Sequence, residues 1–196
     1  MKINSKSKSI VALVLVLAIA TTGCSSQWID TALQDLPVLT QMALTLATLV
    51  STLSSGQQAS SADVAVIQNI SAQASRDLNL LQTLYNEYKA NPSTSTLRKI
   101  QNAIADLNQN LPASLQAAHI SNATLSARIS AAVNLILTTV NSFASLMPQV
   151  AAPASRKAKT WNLLRPKDLK KQWNQQVCAP SGNPALDGAF AASLLR

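Results

Sequence analysis

Between Asp35 and Met147 the apolar residues repeat one pattern four times. Leu39, Met42, Leu46, Leu49 and Leu53 recur at alternating intervals of three and four, which sets them on one stripe of a helix. Gln41, Thr45, Thr48 and Thr52 fall on the opposite, uncharged face. Asp35 is the expected N-cap, Pro37 falls in the first turn, where a missing N–H costs nothing, and Ser54, Ser55 and Gly56 end the helix. A second helix is predicted from an N-cap at Ser61 to Ala90, ahead of Asn91 and Pro92. Val64, Ile67, Ala74, Leu78, Leu81, Tyr85 and Tyr88 keep its spacing, and Ser71 interrupts it. The third, after Ser95, carries Leu97, Ile100, Ile104, Leu107 and Leu111, and then meets Pro112. An interior proline costs about 3 kcal/mol and kinks or ends a helix. Because Leu115 and Ala118 prolong the stripe, a bent or broken helix resuming to about His119 is predicted. The fourth follows Ser121 with Leu125, Ile129, Ala132, Ile136, Val140, Phe143 and Met147, and stops at Pro148.

Four such helices with short connections predict an all-α fold, an antiparallel up-down-up-down four-helix bundle over residues 35–147. Residues 24–34 read as a tether and 148–196 as a linker followed by a basic C-terminal extension containing short helices. In that extension Leu169, Trp173 and Val177, spaced by four, make Pro166 to Val177 a short amphipathic helix, and Ala185 to Leu195 is a last apolar stretch.

The N-terminus departs from this pattern. Lys2, Lys6 and Lys8 precede an unbroken apolar run from Ile10 to Ala20, the composition of an export signal. At roughly 1.5 Å per residue the run spans only about 17 Å, too short for a hydrocarbon core about 30 Å thick. Two cleavage readings follow. Gly23-Cys24 directly after the run resembles the lipobox of bacterial lipoproteins, with Thr21 where that pattern usually has Leu. The resemblance covers residues 1–26. It implies cleavage of residues 1–23, a lipidated Cys24 at the mature N-terminus and anchorage in the cell envelope. Ser25, rather than Asp, after the cysteine favours the outer membrane on the same resemblance. The alternative is an ordinary small-x-small site at Ala18-Ile19-Ala20, which would release a soluble periplasmic or secreted chain. In the first case Cys178 stands alone; in the second it has Cys24 as a bridging partner. Trp28, close behind the anchor, would rest either among lipid headgroups or on the end of the bundle.

Composition supports helices. Apolar residues make up 47% of the 196, but only 4% are aromatic and 12% charged, with four glycines. The net charge of +8 is unevenly spread: residues 24–150 carry five bases against six acids, whereas 151–196 carry eight bases against Asp168 and Asp187. Arg156, Lys157, Lys159, Arg165, Lys167, Lys170 and Lys171 lie within sixteen residues, with Trp161 and Trp173 among them. Such a segment suits an anionic surface, whether lipid headgroups, a glycan or an envelope protein. Nucleic acid fits the charge but not an exported chain. The plainer reading docks the helix through Leu169, Trp173 and Val177 and leaves the bases solvated. No charged residue lies between Arg128 and Arg156, which suits either a buried helix or a membrane-inserting one.

Catalysis needs convergent titratable groups, and few are in view. His119 is the sole histidine and Glu87 the sole glutamate, so the Glu-x-x-His pairs of a di-iron bundle are missing. No glycine-rich phosphate loop or Cys-x-x-Cys occurs. Cys178 follows bases that would lower a thiol pKa but has no histidine beside it in sequence. The sequence therefore predicts a non-enzymatic protein with no cofactor or metal, a lipid-anchored interaction or structural module. Two alternatives remain, a carrier of an apolar ligand in the bundle core and a membrane-active helical protein.

Overall fold

The computed structural model describes residues 26–147 and 164–196, which form six helices and no strand. They are α1 (Ser26–Ser55), α2 (Ser61–Ala90), α3 (Thr94–Ala117), α4 (Ala123–Leu146), α5 (Pro166–Gln176) and α6 (Pro184–Ala192). Cys24, Arg156, Lys157, Lys159 and Trp161 lie outside the described residues.

Local chemistry sets most of the boundaries. Ser60 Oγ accepts from Asp63 N at 3.1 Å, Ser93 Oγ from Thr96 N at 3.0 Å and Asn122 Oδ1 from Leu125 N at 3.0 Å, each satisfying an N–H that the first turn leaves without a partner. The caps therefore sit one residue before Ser61 and one after Ser121. At the end of α1, Gln58 N donates to Leu53 O and Gln57 N to Ser54 O. This pair forms a Schellman closure in which Gln57, not Gly56, takes the left-handed backbone, at φ 57°.

Two helices run through positions predicted to start or break them. α1 begins at Ser26 rather than Asp35, so residues 26–34 of the expected tether are helical, and Asp35 and Pro37 lie inside the helix. The reason is packing: Trp28, Ala32, Asp35 and Leu39 are all buried and continue the spacing of four, three and four upstream. α3 is continuous across Pro112 to Ala117, and Leu111 just before the proline is fully buried. Full burial of Leu111 before the proline and half-burial of Leu115 against the core after it outweigh the one backbone hydrogen bond that a proline removes.

The long helices pack α1 on α2, α2 on α3, α3 on α4, and α1 on α4. Register is visible from side chains. Trp28 meets Tyr85 edge-on at 5.5 Å, Asp30 pairs with Lys89 at 2.6 Å, and Ser71 Oγ donates to Ala43 O at 2.6 Å, so α1 and α2 are antiparallel. Thr96 Oγ1 donates to Glu87 Oε1 at 2.8 Å and Ser114 Oγ to Gln73 Oε1 at 3.2 Å, so α2 and α3 are antiparallel too. α3 and α4 exchange amide hydrogen bonds between Asn108 and Asn141. Every predicted stripe residue of α1, α3 before Pro112, and α4 is buried. Ser71, the interruption in α2, occupies the seam itself and is satisfied there by the Ala43 carbonyl. α1 and α4 are long and apolar enough to cross a membrane by length and composition, yet their stripes face into the helical body.

α5 and α6 form a hairpin that packs on α1 through both helices and on α4 through α5. Trp173 Nε1 donates to Ser193 O at 3.1 Å, and Asn174 and Leu195 exchange two hydrogen bonds of 2.9 Å. In the turn, Asp187 accepts from Ser181 N, Ser181 Oγ and Gly182 N, and Gly182 supplies the positive φ of 80°. Leu169, Trp173, Val177, Leu186 and Phe190 are the buried residues that join the hairpin to the common core.

Candidate functional site

The basic segment is only partly a free cationic surface. Lys167 and Lys171 on α5 are exposed. Arg165 is exposed as well, but its Nε lies 3.4 Å from Asp168 Oδ2, within the capping box that starts α5. Lys170 is half-buried and donates to the Arg196 main-chain oxygen. Leu169, Trp173 and Val177 dock the helix, as the plainer reading expected. A second basic group, Lys89, Arg98 and Lys99, is exposed where α2 ends and α3 begins; of these Lys89 pairs with Asp30, and Lys99 lies 3.6 Å from Glu87.

Trp28 is buried against Tyr85 rather than placed at a surface. Its indole N–H and the Tyr85 hydroxyl lack hydrogen-bond partners, and burial raises the Tyr85 pKa. Cys178 is a buried free thiol whose Sγ lies 3.4 Å from the Ser193 carbonyl. Burial pushes its pKa up to about 11, outweighing the hydrogen bond to Trp173 and the charge of Arg128. The expectation that nearby bases would lower it is thus reversed. His119 is exposed.

Three charged residues stand out in the structure: Asp35, expected only as an N-cap, and Asp63 and Arg128, to which the sequence assigns no role. Asp35 has no exposed surface, and neither of its carboxylate oxygens has a hydrogen-bond partner. Burial, reinforced by the charge of Asp168 on α5, raises its pKa to about 7. Its signal was the α1 spacing, which places an acid on the apolar stripe once it is followed upstream of Pro37. Asp63 is buried at the start of α2 and accepts from Ser121 N at 3.1 Å and Ser121 Oγ at 2.7 Å. Burial alone would raise its pKa, but the hydrogen bonds from Ser121 and Ser60 outweigh it and hold the carboxyl below its ordinary value. Arg128 on α4 donates to Gln176 O at 2.8 Å and Ala179 O at 3.1 Å, and its guanidinium lies 5.6 Å from the centre of the Phe190 ring. It fastens the hairpin to α4, and no local pattern marks it.

A cleft of about 450 Å³ lies between Ala123, Thr124, Ala127 and Arg128 of α4 and Gln176, Pro180 and Ser181 of the hairpin. It is open to solvent, and none of its lining residues belongs to the buried core. Among the described residues no three His, Cys, Asp or Glu side chains gather as metal ligands. Comparison with protein-family models, with curated proteins and with solved structures finds no match to this chain.

Proposed function

We propose that this chain is a lipid-anchored protein of the bacterial cell envelope, a non-catalytic interaction module. In this reading an antiparallel up-down-up-down four-helix bundle presents a basic C-terminal segment to the anionic headgroups of the membrane that anchors it. The course of the chain supports the reading: the start of α1, two residues after Cys24, and the end of α4, after which the basic segment follows in sequence, belong to the same end of the helical body. α1 begins at Ser26, separated from Cys24 by Ser25 alone. α1 and α2, and α2 and α3, are antiparallel by their side-chain contacts, and the short connection 118–122 turns the chain back into α4. Three reversals return the chain at Met147 to the end where α1 started, and residues 148–163 depart from there. The exposed Lys89, Arg98 and Lys99 lie toward that same end. Asp168, at the start of α5, is close enough to Asp35 to raise its pKa. Asp35 lies about 14 Å along the axis from Ser26, at roughly 1.5 Å per residue. Arg165 and Lys167 flank the start of α5, so they too belong to the anchor-proximal part.

The lipobox resemblance supplies the anchor, and Ser25 supports the outer membrane. Acyl chains bury alkyl surface at about 0.8 kcal/mol per methylene, so more than one chain holds stably. Cys24→Ser should move the protein from the membrane to the soluble fraction and remove the acyl mass. Membrane partition that survives this substitution would sink the anchored reading.

A further inference from the structure

We infer that the α5–α6 hairpin is a releasable cover on α1, closed when the Asp35 carboxyl is protonated and loosened when it ionises. The inference begins with an unmet need. Asp35 stands on the buried stripe of α1, fully enclosed, with neither oxygen hydrogen-bonded. A neutral carboxyl tolerates such a place far better than a carboxylate, whose burial without a partner is strongly unfavourable.

None of the charged groups on the surrounding elements supplies a counterion. On α1, Asp30 is paired with Lys89 of α2. The other ionisable groups of α2 are Asp63, bound to Ser121, Arg76 and Asp77, which interact with each other, Tyr85, whose hydroxyl is unpartnered, Glu87, which holds Thr96 and Lys99, and the half-buried Tyr88, which as a phenol is no cation. α4 contributes Arg128, whose guanidinium is spent on the Gln176 and Ala179 carbonyls. α6 contributes Asp187, held by Ser181 and Gly182. α5 contributes Lys167 and Lys171, which are exposed, Lys170, which is bound to the Arg196 oxygen, and Asp168, with the exposed Arg165 at its start paired to Asp168 rather than to Asp35. Asp168 acts on Asp35 with the wrong sign for a counterion: its charge adds to the burial that raises the Asp35 pKa to about 7. Hairpin docking therefore brings a second acid toward a buried one.

The cover is built to move as a unit. Trp173 and Asn174 of α5, with Cys178 just after it, are bonded to Ser193 and Leu195, which follow α6, so the hairpin is closed at its C-terminal segment. Lifting it from α1 would keep those bonds and let water reach Asp35. Because the docked state holds the carboxyl above its ordinary value of 3.8, docking is strongest below about pH 4. It weakens by up to about tenfold per pH unit as pH rises toward 7, and is then level. The inference does not depend on lipidation or on a membrane partner.

Hydrogen exchange of the full chain, corrected for the intrinsic pH dependence of exchange and followed from pH 4.5 to 7.5, tests it. Protection in peptides from α5 and α6 should fall at least tenfold across that range and should be lower at every pH than that of the central turns of α2 and α3, which open only when the whole body unfolds. In Asp35→Asn the hairpin protection should be flat. Should that variant fail to fold, Asp168→Asn, which keeps the cap but removes the neighbouring charge, should show a smaller fall than the parent chain. Flat hairpin protection in the parent chain, an unchanged fall in the folded Asp35→Asn or in Asp168→Asn, or hairpin protection equal to that of α2 and α3 at every pH would each overturn the proposal.

Discussion

Asp35 and Asp63 are both buried acids, yet they respond to pH in opposite directions, because one has no hydrogen-bond donors and the other has several. Asp63 is held below its ordinary value of 3.8, so its contribution to stability is complete above that value and is lost as pH falls through its lowered pKa. Asp63→Ala removes the carboxylate that ties the start of α2 to Ser121 and leaves the Ser121 N–H and hydroxyl without their acceptor. A loss of about 1–3 kcal/mol is expected at pH 7. The gap between the two proteins should narrow below pH 4, measured as urea midpoints at pH 7 and pH 3. Asp35 behaves in the reverse way, contributing most at low pH and losing that contribution as pH rises toward 7. Cys178 belongs to neither pattern: its thiol is buried and its pKa raised to about 11, which leaves it a poor nucleophile for thiol exchange even in an oxidising compartment.

At the scale of the helix, the spacing of three and four was the most legible information in the chain, since it selects one face whatever the ends of the helix do. Leu46 and Ile136 are fully buried and Thr48 is exposed. Leu46→Asp and Ile136→Asp should each lower stability by several kcal/mol, a large part of what a domain of this size has. Thr48→Asp should change it little. Thermal unfolding followed by circular dichroism separates these outcomes, and equal melting of all three would show the phase to be wrong. Helix ends were less legible. Pro37 and the acid before it read locally as a start, but Trp28 and Ala32 bury two further turns upstream. Pro112 reads as a break, but α3 is held by the buried Leu111 before it and the half-buried Leu115 after it. The amphipathic face of α5 was readable from Leu169, Trp173 and Val177. Its partner surface was not, because Asn174 meets Leu195 and Arg128 meets Gln176 and Ala179 only after distant segments come together. Asp35 was missed for the same reason as the start of α1: a local capping rule was applied where the long-range pattern governs.

For the molecule as a whole, the distribution of charge becomes meaningful once the helices are placed. A nearly neutral body is followed in sequence by the excess of bases, and the described ones, Arg165 and Lys167, flank the start of α5. Lys167 and Lys171 are free to meet an anionic surface, whereas Lys170 is engaged with the Arg196 oxygen. With the acyl group removed by Cys24→Ser, the chain should still bind anionic vesicles more tightly than neutral ones, and less so as salt is raised. Lys167→Gln and Lys171→Gln should each weaken that binding by about fivefold, equivalent to about 1 kcal/mol per base near the surface. Lys170→Gln should have a smaller effect. Cosedimentation with the two vesicle types checks this, and binding that ignores both vesicle charge and these lysines would exclude a headgroup partner. The short distance from Cys24 to the start of α1 then changes what such binding has to accomplish. If Cys24 carries the proposed lipid, α1 is joined to it through Ser25 alone, so any second contact with the same leaflet is intramolecular and meets its ligand at an effective concentration in the millimolar range. A headgroup affinity far too weak to recruit a free protein is enough under those conditions to decide whether the helical rod stands upright or leans. The basic segment would therefore govern the protein's posture on the membrane, and through it which face the body offers to its surroundings.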